Sequence, residues 1–265
     1  MLKSLKKLIS AILVLGLIFS SPILMDHVRD VYLNEIASRK AHPVSYRGKV
    51  FGSSFQLRYK KHSLTVTNYH VCQVVEEIQR AIALEELDGY LTILFMRGIP
   101  PEYINKIYLK RKNEIMRKKY PIIGEYVTVG EFNRKILYTS KSHDICFLEP
   151  LGSLTFSLAS FVHRGERITI IGHPRGESQS ISDGRIVGES WWKPKWLPFL
   201  NHKVRSLKTT AISYPGNSGS PIVNRYGNVV GILFSGRDLG YINVNGAVPL
   251  EYIRADFEQY LQESK

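Results

Sequence analysis

Cysteine is nearly missing from this chain: only Cys72 and Cys146 stand among 265 residues. Two thiols permit one disulfide at most, which excludes a disulfide-dense scaffold. The eight histidines show no ligand spacing of the zinc type, so no metal and no cofactor is expected. Internal repeats and low-complexity tracts are also absent, which excludes a solenoid or a disordered tail. Acidic residues are in deficit, with 23 Asp and Glu against 36 Lys and Arg, for a net charge of +13. That charge invites nucleic acid, but no recognition motif accompanies it, and nucleic acid is not an expected partner. Attraction to an anionic membrane surface or to acidic substrate accounts for the charge with fewer assumptions.

What is present points to β-structure. Short β-branched runs recur between turn residues, with 20 Gly and 12 Pro in the chain and 44% apolar side chains. This is enough apolar material for two small barrel cores. The first barrel is expected over 43–150, with strands at Ser45–Val50, Ser54–Tyr59, Ser63–Thr67, Tyr126–Glu131, Lys135–Thr139 and Ile145–Leu148. The second is expected within 151–265, with strands at Arg167–Gly172, Ser180–Gly188, Val204–Ala211, Ser220–Val223, Val229–Phe234 and Ile242–Val248. Tyr252, Ile253, Phe257, Tyr260 and Leu261 recur at helical spacing and predict a closing amphipathic helix over Pro249–Gln262. An insertion over about 76–125 carries Ile104, Ile107, Tyr108, Ile115 and Met116 at helical spacing.

The amino terminus is different material. Lys3, Lys6 and Lys7 precede an apolar run from Leu8 to Met25, about the minimum length that spans a bilayer. Cations ahead of such a run keep the terminus in the cytoplasm and send the rest across the membrane. Residues 1–25 are read as an uncleaved anchor, with a cleaved signal peptide as the alternative, and 26–42 as a linker. Pro22 after Ser21 disfavours cleavage there.

Three segments carry chemistry. Pro215-Gly216-Asn217-Ser218-Gly219-Ser220-Pro221 sets a serine between glycines. Leu64 to Val71 is a β-branched strand that ends in a polar turn bearing His70. Asp144 heads the apolar strand Ile145-Cys146-Phe147-Leu148. The chain order His, Asp, Ser is that of chymotrypsin-type peptidases, not of subtilisins or α/β-hydrolases. At these residues the chain resembles trypsin-like serine peptidases of the bacterial HtrA/Deg and glutamyl-endopeptidase kind. Gly52-Ser53-Ser54-Phe55 resembles their G-S-G-F strand, Thr67-Asn68-Tyr69-His70-Val71 their T-N-x-H-V, and Ile171-Gly172-His173-Pro174-Arg175-Gly176 their I-G-N-P-x-G.

The resemblance implies an all-β fold of two six-stranded antiparallel Greek-key barrels, a helical insertion in the first, a C-terminal helix and an N-terminal hydrophobic helix. It implies His70 as general base, Asp144 as its orienting carboxylate and Ser218 as nucleophile. The oxyanion hole falls on Gly216, Asn217 and Ser218, and Gly219 is expected to leave room for substrate. Ile212 stands where trypsins carry a pocket aspartate, and Leu233 where glutamyl endopeptidases carry a histidine. With Phe234, Ser235 and Gly236 these define an uncharged substrate site, so cleavage of protein or peptide is expected after small or medium apolar residues. Asn217 lacks the charge that would pair with a freed amino terminus, so activation by a new terminus is not expected. No PDZ-sized segment follows the second barrel.

Other residues are given structural readings. His143 adjoins Asp144 but points to the opposite strand face, and His173 is a loop residue. Cys72 and Cys146 each stand two positions beyond a triad member. They are read as buried free thiols, with a disulfide open to them in an oxidising compartment. The basic insertion and the loop Trp191-Trp192-Lys193-Pro194-Lys195-Trp196-Leu197-Pro198-Phe199 mix rings with cations, as a membrane interface favours. Both are read first as packed on the barrel with solvated charges.

Overall fold

The computed structural model describes residues 40–152, 154–192, 204–238 and 243–265. The expected anchor, the linker to residue 39 and most of the Trp-rich loop lie outside them. β1 (Ala41–Tyr46), β2 (Lys49–Tyr59), β3 (His62–Thr67), β4 (Tyr126–Val129), β5 (Phe132–Ser140) and β6 (Ile145–Leu148) close into one barrel, ordered β1-β4-β5-β6-β3-β2 with β1 returning to β2. β8 (Arg167–Gly172), β9 (Ser180–Trp192), β10 (Val204–Thr209), β11 (Pro221–Asn224), β12 (Val229–Asp238) and β13 (Asn243–Pro249) close a second, ordered β10-β13-β12-β11-β8-β9. Closure removes the exposed strand edges that an open sheet would present.

Between them the short β7 (Phe156–Ser157) pairs parallel with β2, Leu57 opposite Phe156. A parallel bridge then joins Leu158 to Val229 of β12. The connecting chain is thus stitched to both barrels. One apolar cluster crosses the seam: Phe55, Leu57, Tyr138 and Phe147 from the first barrel meet Ile171, Val223, Ile232 and Phe234 from the second. The third helix, α3 (Leu250–Glu263), adds Ile253 and Phe257 to this cluster. Its apolar positions fall on one face, as the spacing predicts.

Two elements differ from expectation. The strand expected at Ser45–Val50 straddles a hairpin, because Arg47 and Gly48 both take positive φ (50° and 78°) and turn β1 into β2. Positive φ at both turn residues matches the right-handed twist of paired strands. The insertion is helical but starts earlier: α1 spans Tyr69–Met96 and α2 spans Pro101–Arg117. Val71, Cys72, Val74 and Val75 pack α1 onto the first barrel together with Val44, Val127, Ile136 and Leu148. This tertiary packing overrides the β-branched bias of the helix's first two turns.

Candidate active site

His70 lies in the first turn of α1, not in a polar turn as expected. Asn68 precedes the helix without a side-chain cap bond. One orphan N–H of the helix start is met from outside, since the backbone N–H of His70 donates to Asp144 Oδ1 at 3.0 Å. A helix N-terminus favours an anion at this place. The imidazole is held by the same carboxylate, with Nδ1 at 3.0 Å from Oδ1 and 2.9 Å from Oδ2. Asp144 is buried while His70 is partly exposed, so the carboxylate faces the ring from the protein side. It sits at φ 58°, a left-handed conformation that aspartate tolerates better than most residues. Asn68 Nδ2 donates to its carbonyl at 3.0 Å and secures that turn.

A disulfide joins Cys72 to Cys146. This corrects the reading of two free thiols. The two cysteines lie on α1 and β6, each two residues beyond His70 and Asp144, so one covalent bridge ties the segments that carry the imidazole and the carboxylate.

Ser218 belongs to the loop before β11 and is partly exposed. The loop is pinned from both barrels. Ser53 N donates to Ser218 O at 2.7 Å, and Ser53 Oγ donates to Gly216 O at 2.9 Å. The same Ser53 Oγ accepts from His173 N at 2.9 Å, and Arg175 N donates to Pro215 O at 2.6 Å. His173 is therefore part of the frame under the serine. Its burial lowers the imidazole pKa below the ordinary value. Gly52 spaces the two halves of the site. A Cβ there would lie 2.6 Å from Val71 Cγ2 and 2.7 Å from Ser218 O, so the residue after His70 and the serine backbone face each other across it.

Gly216 adopts φ 96°, and a Cβ on it would meet Arg175 N at 2.5 Å and His173 O at 2.7 Å. Only glycine fits. Gly219, at φ 88°, faces Ser53 O and Thr67 Oγ1. Close contact with the first barrel requires glycine here. The Asn217 N–H donates to Tyr214 O at 3.0 Å within the turn, and its side chain is buried. Gly219 N and Ser220 N are likewise committed, to Leu233 O and Asn217 O. Among the described residues, the N–H groups of Gly216 and Ser218 take no part in such bonds. Ser218 Oγ donates to Phe234 O at 3.4 Å.

The residues expected to bind substrate separate. Ile212 is exposed beside the loop. Leu233 is instead buried in the second barrel with Ile168, Ile186 and Leu207, and Phe234 is buried in the cluster at the seam. Both side chains belong to apolar clusters. Ser235 and Gly236 continue β12, opposite Gly246 and Asn245 of β13. A cleft of about 550 Å³ opens beside the start of α1, lined by Tyr69, Glu76, Lys119, Tyr120, Ile122 and Lys141.

His143 has its own acid. Its Nδ1 lies 2.8 Å from Asp256 Oδ1, and its ring stacks on Tyr252 with centroids 4.3 Å apart. The pair docks α3 against the loop that bears Asp144. No sequence pattern announces it, because Asp256 is 113 positions away.

Two closed barrels, an imidazole backed by a buried carboxylate at their seam, and a glycine-flanked serine turn define a chymotrypsin-type architecture. A family profile described as "Trypsin-like peptidase domain" matches residues 52–232, and the chain belongs to that family. Among curated proteins it is 25% identical over 153 residues to a "Probable periplasmic serine endoprotease DegP-like" of Pseudomonas fluorescens, covering 54% of this chain and 30% of that one. It is 28% identical over 169 residues to "Serine protease Do-like HtrB" of Bacillus subtilis, covering 61% and 37%. The chain thus spans about a third of those relatives. Among solved structures it resembles Rv3671c from M. tuberculosis H37Rv in an inactive form, with TM-score 0.56 and 13% identity over 91% of this chain and 93% of that one. It also resembles the serine endoprotease from Yersinia pestis, with TM-score 0.53 and 15% identity over 89% and 68%.

Proposed function

We propose that this chain is a serine endopeptidase acting through His70, Asp144 and Ser218. His70 takes the Ser218 proton as the hydroxyl attacks a peptide carbonyl, and later returns it to the leaving amine. Asp144 fixes the Nδ1–H tautomer and stabilises the imidazolium. The N–H groups of Gly216 and Ser218 receive the oxyanion, each worth roughly 3 kcal/mol at the transition state. The observation that carries this reading is the contact of His70 Nδ1 with both Asp144 oxygens at 2.9–3.0 Å, beside a serine turn bonded to β2. Exposed, uncharged Ile212 beside the serine loop supports cleavage after small or medium apolar residues. The N-terminal run, the buried disulfide and the periplasmic relatives support an extracytoplasmic domain held by an anchor.

A second reading, a silent peptidase-fold domain that binds peptides or membrane, draws on the bond of Ser218 Oγ to Phe234 O. A fluorophosphonate probe separates the two. Wild type labels and Ser218→Ala does not, with turnover of a peptide substrate falling about a millionfold. A folded wild type that resists the probe would reject the peptidase reading.

A further inference from the structure

α1 and α2 leave the first barrel as a hairpin that packs chiefly on itself. The buried residues of α1 are Tyr69, Val71, Cys72, Val74 and Val75 at its base, then Leu87 alone, and α2 buries none. Large apolar side chains gather where the helices meet. Tyr90, Ile93, Phe95, Met96, Ile99 and Tyr103 are all exposed, Phe95 to 65% and Met96 to 78%. From Gly89 to Asn105 only Arg97 and Glu102 are charged. Behind this neutral tip α2 turns basic. Lys106, Lys110, Arg111 and Lys112 follow within two turns, then Arg117, Lys118 and Lys119. The acids against them on this stretch are Glu102 and Glu114, and Glu114 is bonded to Arg111 at 3.3 Å. Facing α1 carries Glu85, Glu86 and Asp88, so the hairpin has one basic and one acidic flank.

An apolar patch of this kind marks a surface that something covers. The order along the hairpin selects the occupant. A neutral apolar end followed one to three turns later by a cationic collar matches hydrocarbon followed by headgroup phosphate, with lysine and arginine stems reaching back to the interface. Near its start the chain also carries an apolar run that ends at Met25, with fourteen residues between it and Lys40 at the edge of the first barrel. Such a tether reaches at most about 50 Å, while α1 at 28 residues is about 42 Å long. We propose that the α1–α2 hairpin inserts its tip into the anionic membrane leaflet that faces the domain, α2 side down, and so holds the serine turn at a fixed height over the lipid. The inference rests on the anchor reading for proximity only.

The test uses the full chain, with the thiol of Met96→Cys carrying an environment-sensitive NBD dye, reconstituted into phosphatidylcholine vesicles with or without phosphatidylglycerol. The expected result is blue-shifted emission, quenched by acyl-chain nitroxides, only when phosphatidylglycerol is present. The same dye at Arg225→Cys on the second barrel stays water-like. Replacing Lys106, Lys110, Arg111 and Lys112 by Gln removes the shift, each lost cation weakening attraction roughly fivefold. Three results would overturn the proposal: water-like emission in both lipids, an equal shift in both, or a shift without lipid that vanishes on dilution. The last would show that a second copy covers the tip. Fluorophosphonate labelling of the same samples reports the peptidase reading separately.

Discussion

Reducing the Cys72–Cys146 bridge should cost this fold more than any single contact. The bridge spans 74 positions, and closing a loop of that length lowers the entropy of the unfolded chain enough to stabilise the fold by about 4.5 kcal/mol. Both sulfurs are fully buried, so the reduced form keeps its packing and the loss is chiefly that of the unfolded-state constraint. Guanidinium unfolding of oxidised and reduced wild type, followed by tryptophan emission, measures the difference directly. At a denaturant slope of about 5 kcal/mol/M the midpoint should fall by about 1 M. Peptidase activity should decline earlier than emission, because the bridge ties α1 to β6 two residues from His70 and from Asp144. Thiol titration confirms that two sulfhydryls have been released. An unchanged midpoint in chains with two titrated thiols would refute the loop-closure reasoning.

Four further outcomes are expected. Ser218→Ala loses probe labelling and about a millionfold in turnover while its melting temperature stays close to wild type; retained hydrolysis contradicts the nucleophile. Gly219→Ala forces a Cβ onto Ser53 O and Thr67 Oγ1 at a left-handed φ, and should abolish labelling; an active variant would show the contact to be soft. His143→Ala removes the imidazole partner of the buried Asp256 carboxylate and should cost about 3 kcal/mol; combined with Asp256→Ala the loss should be less than additive in a double-mutant cycle. Tyr138 and Tyr69 have raised pKa values because they are buried, and Tyr59 because its hydroxyl donates to Glu258. Their unfolded forms ionise first, so stability is full below about pH 10 and declines above it, with Tyr138 contributing up to about 1.4 kcal/mol per pH unit. Tyr138→Phe should make that alkaline decline shallower by one proton, as measured by urea unfolding against pH; an unchanged slope would remove Tyr138 from the account.

Local signals were legible where the chain's neighbours decide the outcome. Ile145–Leu148 and Arg167–Gly172 are strands at the predicted bounds, since short apolar runs with turn residues on each side have little choice. The helix over Leu250–Glu263 follows from its apolar spacing. The glycine-flanked serine, the histidine and the aspartate were each visible as residues in context. What the sequence hid depends on partners far along the chain. Asn68 gives α1 no cap of its own, and the carboxylate that meets its first turn comes from Asp144, so the start of the helix at Tyr69 has no local mark. Leu233 stands at a pocket position by resemblance, yet it joins the second core, beside a register shift between Leu233 and Ser235. Gly219 answers to Ser53 and Thr67, and Cys72 to Cys146, across separations no spacing rule covers.

The apolar cluster that crosses the seam has a mechanical consequence. Phe55 and Phe147 on one side, Val223 and Ile232 on the other, and Phe257 as keystone belong to a single packed mass that spans both lobes. Heat should therefore melt both lobes together, in one calorimetric peak. Control of such a molecule falls to its surface segments, which can be rearranged while the body that carries them stays rigid.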